Sequence, residues 1–113
     1  MKLLTRELEA QLARAAAKGK NDEGVSDSTE ESPVVVKFFT PDAQCTWFIL
    51  DGEKLEDGDW QLFGLCDLGF GFPELGYVML SELAEVRGKL GLPVERDMSY
   101  SGTLADARKQ VRS

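Results

Sequence analysis

The chain has 113 residues, a length that fits one small domain and argues against a second. Its hydrophobic fraction of 42% and charged fraction of 29% lie near globular averages, which excludes a chain that is disordered throughout. Thirteen basic and twenty acidic residues give a net charge of -7. A negatively charged protein repels the phosphate backbone of nucleic acids, so direct nucleic-acid binding is disfavoured.

The first residues predict where the protein resides. In the opening MKLLTRELEA, Glu7 and Glu9 stand where a secretory signal needs an apolar core. The longest apolar stretch is interrupted by charge, proline and glycine, unlike a membrane span. Cys45 and Cys66 have neither CxxC nor zinc-finger spacing and are typical of buried thiols. We therefore predict a soluble cytoplasmic protein that does not engage a membrane.

Residues 1–19 have the pattern of an amphipathic helix. Leu4, Leu8 and Leu12 fall on one helical stripe, and Thr5 can cap its start. The next segment, KNDEGVSDSTEES, has a single apolar residue, too little to offset the entropy of ordering it. Residues 20–32 are therefore predicted to form a flexible acidic loop.

Strand patterns begin at residue 33. VVVKFF (34–39) and CTWFIL (45–50) are rich in β-branched and aromatic residues, and the turn sequence TPDAQ between them predicts a hairpin. WQLFGLC (60–66) and GYVML (76–80) predict a third and a fourth strand.

The last third of the chain predicts two helices and a short edge strand. Ser81 is expected to cap a helix that ends at Gly91, and VERDMSY (94–100) alternates like an edge strand. Residues 101–113 form a tail that Thr103 could cap as a last helix. The predicted fold class is α+β: one domain, residues 1–113, with its core in 33–100. A mostly antiparallel sheet of four to five strands would carry helices on one side.

The chain has no histidine, which removes most familiar mechanisms of small enzymes. Ser-His-Asp and Cys-His nucleophiles, HExxH zinc sites and every imidazole base are excluded. Its glycines match neither GxGxxG nor GxxxxGK[ST], so we predict no cofactor. The acidic run DGEKLEDGD (51–59) fails the EF-hand spacing, which favours a solvated hairpin turn over a metal site.

The stretch FGLCDLGFGFPELGYVML (63–80) predicts a strand, a bend that its glycines allow, and a second strand. Isolated carboxylates in apolar sequence must find partners or stay at the surface. Asp67 and Glu74 are therefore predicted to form structural clamps with Arg87 or Arg96, and the triplet ERD (95–97) is interpreted in the same way.

The runs KFFTPDAQCTWF, FGLCDLGFGFPELGYVMLSEL and VRGKLGLPVERDMSY, with the opening MKLLT, resemble the family known as domain of unknown function 2958. The resemblance covers nearly the whole chain. It implies a small cytoplasmic accessory protein of bacterial plasmids, integrative elements and phages, and it brings no activity with it. The acidic insert before Ser32 and the tail SGTLADARKQVRS depart from the family pattern. The residues that match the family motif are Lys37, Phe39, Pro41, Trp47, Phe63, Gly64, Asp67, Pro73, Glu74, Leu75, Gly76, Tyr77, Leu83, Leu92, Glu95, Arg96 and Asp97.

The leading functional hypothesis is a non-catalytic binding protein whose acidic face engages a basic or DNA-binding protein. Residues 33–97 hold five Lys or Arg and twelve Asp or Glu, a balance that attracts positive surfaces and repels DNA. In a mobile element such a protein could mimic DNA and inhibit a host defence complex. The predicted contact residues combine carboxylates, aromatic anchors and one arginine: Asp67, Phe70, Phe72, Glu74, Tyr77, Glu95, Arg96 and Asp97.

Two alternatives stay open. The first is a small hydrolase or nuclease that uses carboxylates as acid and base. It requires one pocket in which five side chains converge: Asp67, Glu74, Glu95, Arg96 and Asp97. The second is a homo-oligomeric module that associates through exposed aromatic residues and the N-terminal helix.

Overall fold

The computed structural model describes residues 3–19, 30–69, 71–97 and 99–112. Most of the predicted acidic loop, residues 20–29, lies outside the described residues. The described elements are α1 (Arg6–Gly19), β1 (Val36–Phe39), β2 (Thr46–Lys54), β3 (Trp60–Asp67), β4 (Glu74–Met79), α2 (Leu80–Glu85), β5 (Glu95–Asp97) and α3 (Leu104–Arg112).

The five strands form one open antiparallel sheet in the order β4-β3-β2-β1-β5. The predicted hairpin of the first two strands is confirmed, with Val36 opposite Ile49. The predicted α+β class and the range of four to five strands are also confirmed. Because the sheet does not close on itself, β4 and β5 are its two edges.

On the first face of the sheet, α1 and α2 cover the larger part of the core. Leu4, at the approach to α1, packs with Leu12 of α1 and Leu83 of α2 against side chains of the four strands β1 to β4. Full burial of a leucine side chain stabilises the fold by roughly 1.5–3 kcal/mol. The strand residues that meet these leucines include Val36, Phe38, Trp47, Ile49, Trp60 and Leu62.

The second face carries α3, so the prediction that helices pack on one side is wrong. Leu104 and Ala107 of α3 pack against Phe48, Leu50 and Leu65 of the sheet. Both faces of β2 are apolar, since residues 47–50 are all buried. A strand that is apolar on both faces must be covered on both faces.

The helix α2 is shorter than its sequence pattern predicts. It ends at Glu85 rather than at Gly91, and Ser81 is not its cap. Instead, the Glu82 carboxylate accepts a hydrogen bond of 2.9 Å from the backbone N–H of Met79. The Ser81 hydroxyl donates over 2.6 Å to Asp59, a hydrogen bond that lowers the pKa of the Asp59 carboxyl.

A tertiary contact holds the segment that follows the helix. Asp42, in the β1–β2 turn, accepts hydrogen bonds from the backbone N–H groups of Leu90 (2.6 Å) and Leu92 (3.3 Å). In a helix that reached Gly91, the N–H of Leu90 would bond instead to the carbonyl of Val86. Asp42 thereby holds residues 88–92 as a loop against the turn.

The predicted solvated turn is also shorter than expected. Residues 51–54 belong to β2, and Asp51 is buried just after a bulge that follows Ile49. The turn itself spans residues 55–59, where Asp57 accepts a hydrogen bond from the backbone N–H of Asp59. Only the second half of DGEKLEDGD, residues 55–59, therefore forms the turn.

Candidate functional site

The predicted contact residues lie at opposite edges of the sheet. Asp67, Glu74 and Tyr77 are in β3 and β4, whereas residues 95–97 form β5. Four strand spacings of about 4.8 Å separate β4 from β5 by about 19 Å. The single pocket required by the hydrolase hypothesis is therefore not formed by these side chains. Phe70 lies outside the described residues.

At the β5 edge, Asp97 takes part in a structural cluster. Its carboxylate accepts hydrogen bonds from the backbone N–H and the hydroxyl of Ser99, and lies 3.5 Å from Lys37 Nζ. The Lys37 ammonium sits 5.4 Å from the ring centre of Phe48 and 5.2 Å from that of Tyr100. The Ser99 hydrogen bonds and Lys37 lower the pKa of the Asp97 carboxyl. These contacts hold β5 and the following turn in place.

Asp97→Asn should reduce the loss of stability in acid. Because the folded pKa lies below its usual value near 3.8, the carboxylate contributes stability that is fully present above about pH 4. That contribution disappears as pH falls through the lowered folded pKa. In urea unfolding at pH 7 and at a series of lower pH values, the variant should be less stable at pH 7, and the difference should shrink in acid. Glu95→Gln removes a charge from the same strand without the Lys37 contact, and an equal effect from it would contradict this role.

The neighbouring residues of β5 are also tied into the fold. Arg96 donates a hydrogen bond of 3.0 Å to the carbonyl of Leu3, and Glu95 is half-buried opposite Phe39. A cavity of about 270 Å³ lies between the first turn of α1 and this strand, with Thr5 and Tyr100 among its lining residues. Its volume falls below the 300–1,000 Å³ typical of ligand pockets.

The predicted arginine clamps are wrong. Asp67 accepts a hydrogen bond of 3.0 Å from the backbone N–H of Gly69, which holds the start of the β3–β4 connection. The Arg87 side chain donates instead to the carbonyls of Ala84 and Val86. Within the described part of the chain, Glu74 has neither a hydrogen bond from its side chain nor an ion pair, and it is exposed.

Exposed hydrophobic side chains occur in β4 and in the β3–β4 connection, and we call them the β4 surface: Leu68, Phe72, Leu75 and Tyr77. Their exposed fractions are 49%, 80%, 38% and 52% respectively. The Tyr77 ring lies 4.9 Å from that of Phe63 in β3. Alternation in ELGYVM places Leu75 and Tyr77 on one face of the sheet. The sequence alone therefore indicates that Leu75 lies beside Tyr77, although Leu75 is not among the predicted contact residues.

The segment of the chain that contains this surface carries an excess of acidic residues. Residues 55–86, which include β3, β4 and α2, contain seven acidic residues and no lysine or arginine. They account for the whole net charge of -7, because the other residues carry thirteen of each sign. The acidic residues of this segment are Glu56, Asp57, Asp59, Asp67, Glu74, Glu82 and Glu85.

The two cysteines pack against the first-face core and are half-buried rather than fully buried. Burial raises the pKa of the Cys66 thiol, and its Sγ lies 3.9 Å from the carbonyl oxygen of Gly64. Cys45 Sγ lies 3.8 Å from the carbonyl oxygen of Leu68. A raised pKa disfavours the thiolate, so Cys66 is poorly suited to nucleophilic catalysis.

The described ranges contain no group of three or more Cys, Asp or Glu side chains placed to hold a metal ion. In the same ranges, no helix combines the length and the hydropathy that crossing a membrane requires.

These features define an α+β protein built on an open five-stranded antiparallel sheet, with helices on both faces and exposed hydrophobic side chains at the β4 edge. The chain belongs to the family described as "Protein of unknown function (DUF2958)", whose model matches residues 3–107. The family resemblance is thereby confirmed. Neither a curated protein nor a solved structure matches the chain.

Proposed function

We propose that this protein is a non-catalytic binding module that engages a positively charged protein through the β4 surface. One observation carries the proposal: the exposed hydrophobic side chains of the β4 surface lie within the segment that holds the whole net charge. Large apolar side chains exposed as a group mark contact sites on many proteins. Acidic residues in the same segment favour a partner of opposite charge.

The two kinds of side chain have different roles in this proposal. Phe72 and Tyr77 are the anchors, since aromatic residues account for a large share of the energy of protein interfaces. The carboxylates of residues 55–86 raise the rate of encounter with a basic partner and disfavour acidic ones. Binding should therefore weaken with salt, but part of it should persist because of the apolar contact.

A DNA-binding protein is one class of partner with the required charge. In the mobile-element context that the family resemblance implies, the protein would occupy the DNA-binding surface of a host defence enzyme and so inhibit it. In this DNA-mimic hypothesis, the β4 surface also makes an apolar contact with the partner, which the phosphate backbone of DNA does not offer. Competition between DNA and this protein for the captured partner tests the extension.

The proposal is tested by capture of a partner from a lysate of the natural host at low and at moderate salt. We expect a basic protein to be retained, and Phe72→Ala and Tyr77→Ala each to weaken its binding about tenfold or more. Leu90→Ala is the matched control, because Leu90 is as exposed as Phe72, at 80%, but lies outside the β4 surface. No basic partner, or a partner retained equally by all variants, would overturn the proposal.

A further inference from the structure

Among the described residues, no strand pairs with the outer side of β4, so its main chain is open there. The backbone N–H of Met79 bonds to the side chain of Glu82 rather than to β3. In an antiparallel strand the main-chain groups of alternate residues point to the same side. Leu75 and Tyr77 therefore direct their N–H and C=O groups away from β3, as Met79 does.

The side chains agree with this assignment. Tyr77 is opposite Phe63, and the two ring centres are 4.9 Å apart. Close side-chain contact is typical of antiparallel pairs that exchange no hydrogen bonds with each other, which leaves their main-chain groups free to point outward. Within the described residues, no group outside the sheet bonds to the main chain of Leu75 or Tyr77.

The two faces of the β4 edge differ in character. Leu75 and Tyr77 make the second face apolar and partly exposed. On the first face, Glu74 is exposed, and a Cβ on Gly76 would meet no atom within 4 Å. An added strand would therefore find apolar neighbours on one face, and a carboxylate and free space on the other.

We propose that an extended segment of a partner protein, with alternating apolar and basic residues, adds to β4 as a sixth strand. This rests on the proposed function and names the form of its partner. The apolar residues pack beside Leu75 and Tyr77 while their main chain bonds to these two residues. The basic residues lie on the other face, beside Glu74 and over Gly76.

Charge selects this occupant over a second copy of the chain. Two copies paired through β4 would bring together two segments of residues 55–86, each with seven acidic and no basic residues. The net negative charge of both segments disfavours this association. A strand with lysine or arginine at alternate positions removes this repulsion and adds attraction.

The probe is a blocked, dye-labelled peptide of alternating lysine and valine, with lysine at both ends, whose binding to the full chain is followed by fluorescence anisotropy. We expect saturable binding, and none to the counterpart with glutamate in place of lysine. A peptide of the same composition with its valines grouped together should bind about tenfold more weakly or worse, because it lacks the alternation.

Backbone methylation separates strand addition from simple charge attraction. In an antiparallel addition the valines pair with Leu75 and Tyr77 and use their own N–H groups, whereas the lysine N–H groups point outward. N-methylation of the valines should weaken binding at least about tenfold, and N-methylation of the lysines should leave it unchanged. Equal binding of the two methylated peptides would overturn strand addition.

Two charge-reversal variants test whether the peptide binds at β4. Glu74→Lys should weaken peptide binding, while Glu7→Lys should not, because Glu7 is an exposed residue of α1 near the β5 edge and outside residues 55–86. If no alternating peptide binds but a basic partner is captured through Phe72 and Tyr77, strand addition is wrong and the binding function stands. If light scattering shows a dimer that Tyr77→Lys dissociates, a second copy is the occupant and this inference is overturned. If neither peptide nor partner binds, both proposals fail.

Discussion

Gly64→Ala is expected to lower the free energy of unfolding by about 3 kcal/mol, because the new methyl group has no space. A Cβ at Gly64 would overlap the carbonyl oxygen of Phe48 and lie 2.8 Å from the Cα of Ile49. Both atoms are backbone, so no change of rotamer relieves the overlap. β2 and β3 would have to separate next to the bulge that follows Ile49.

The control is the glycine opposite Gly64 in the neighbouring strand. Gly76 pairs with Gly64 across β3 and β4, yet its Cβ position is open. Gly76→Ala should leave stability unchanged or raise it by up to about 1 kcal/mol, since alanine reduces the freedom of the unfolded chain. Urea unfolding of both variants measures the difference. Equal destabilisation by the two substitutions would mean that backbone contact at Gly64 is not the cause.

Phe48→Ala is expected to cost about 3–5 kcal/mol, because it removes the centre of the second-face core. Phe48 is fully buried in β2, packs with residues of α3, and meets the Tyr100 ring edge-on at 5.4 Å. The Lys37 ammonium lies over the Phe48 ring. The substitution leaves a cavity between the sheet and α3 that rigid strands cannot close.

The same substitution at Phe72 separates folding from binding. Phe72 is 80% exposed, so Phe72→Ala should change stability by no more than about 0.5 kcal/mol. It should nevertheless weaken capture of the partner. Thermal and urea unfolding provide the comparison. A large loss of stability at Phe72, or none at Phe48, would contradict the assignment of one residue to the surface and the other to the core.

Much of the fold could be predicted because its signals are local. The β1–β2 hairpin follows from two β-rich runs around a turn, and the stripe of Leu4, Leu8 and Leu12 predicts the helix α1. The start of α3 is equally local, since Thr103 and Asp106 exchange the hydrogen bonds of a capping pair. None of these features requires knowledge of the strand order.

The candidate site was only partly predictable. The sequence predicts Phe72, Tyr77 and Glu74 as contact residues from their types and their glycine-rich setting, and all three are exposed. The exposure of Leu68 and Leu75 is not predicted, because leucine is more often buried than exposed. Residues 95–97 were grouped with them although β5 lies at the far edge of the sheet. Strand order depends on contacts between distant segments, which one sequence does not reveal.

Composition and short-range pattern alone determined that the protein lacks histidine chemistry, concentrates its negative charge in one segment, and builds an antiparallel sheet with flanking helices. The tertiary structure decided that residues 88–92 form a loop rather than the last turn of a helix, since Asp42 binds the N–H groups of Leu90 and Leu92. It also decided that β4 is an open edge. An edge exists only when all strands have taken their places, whereas charge and alternation are properties of neighbouring residues.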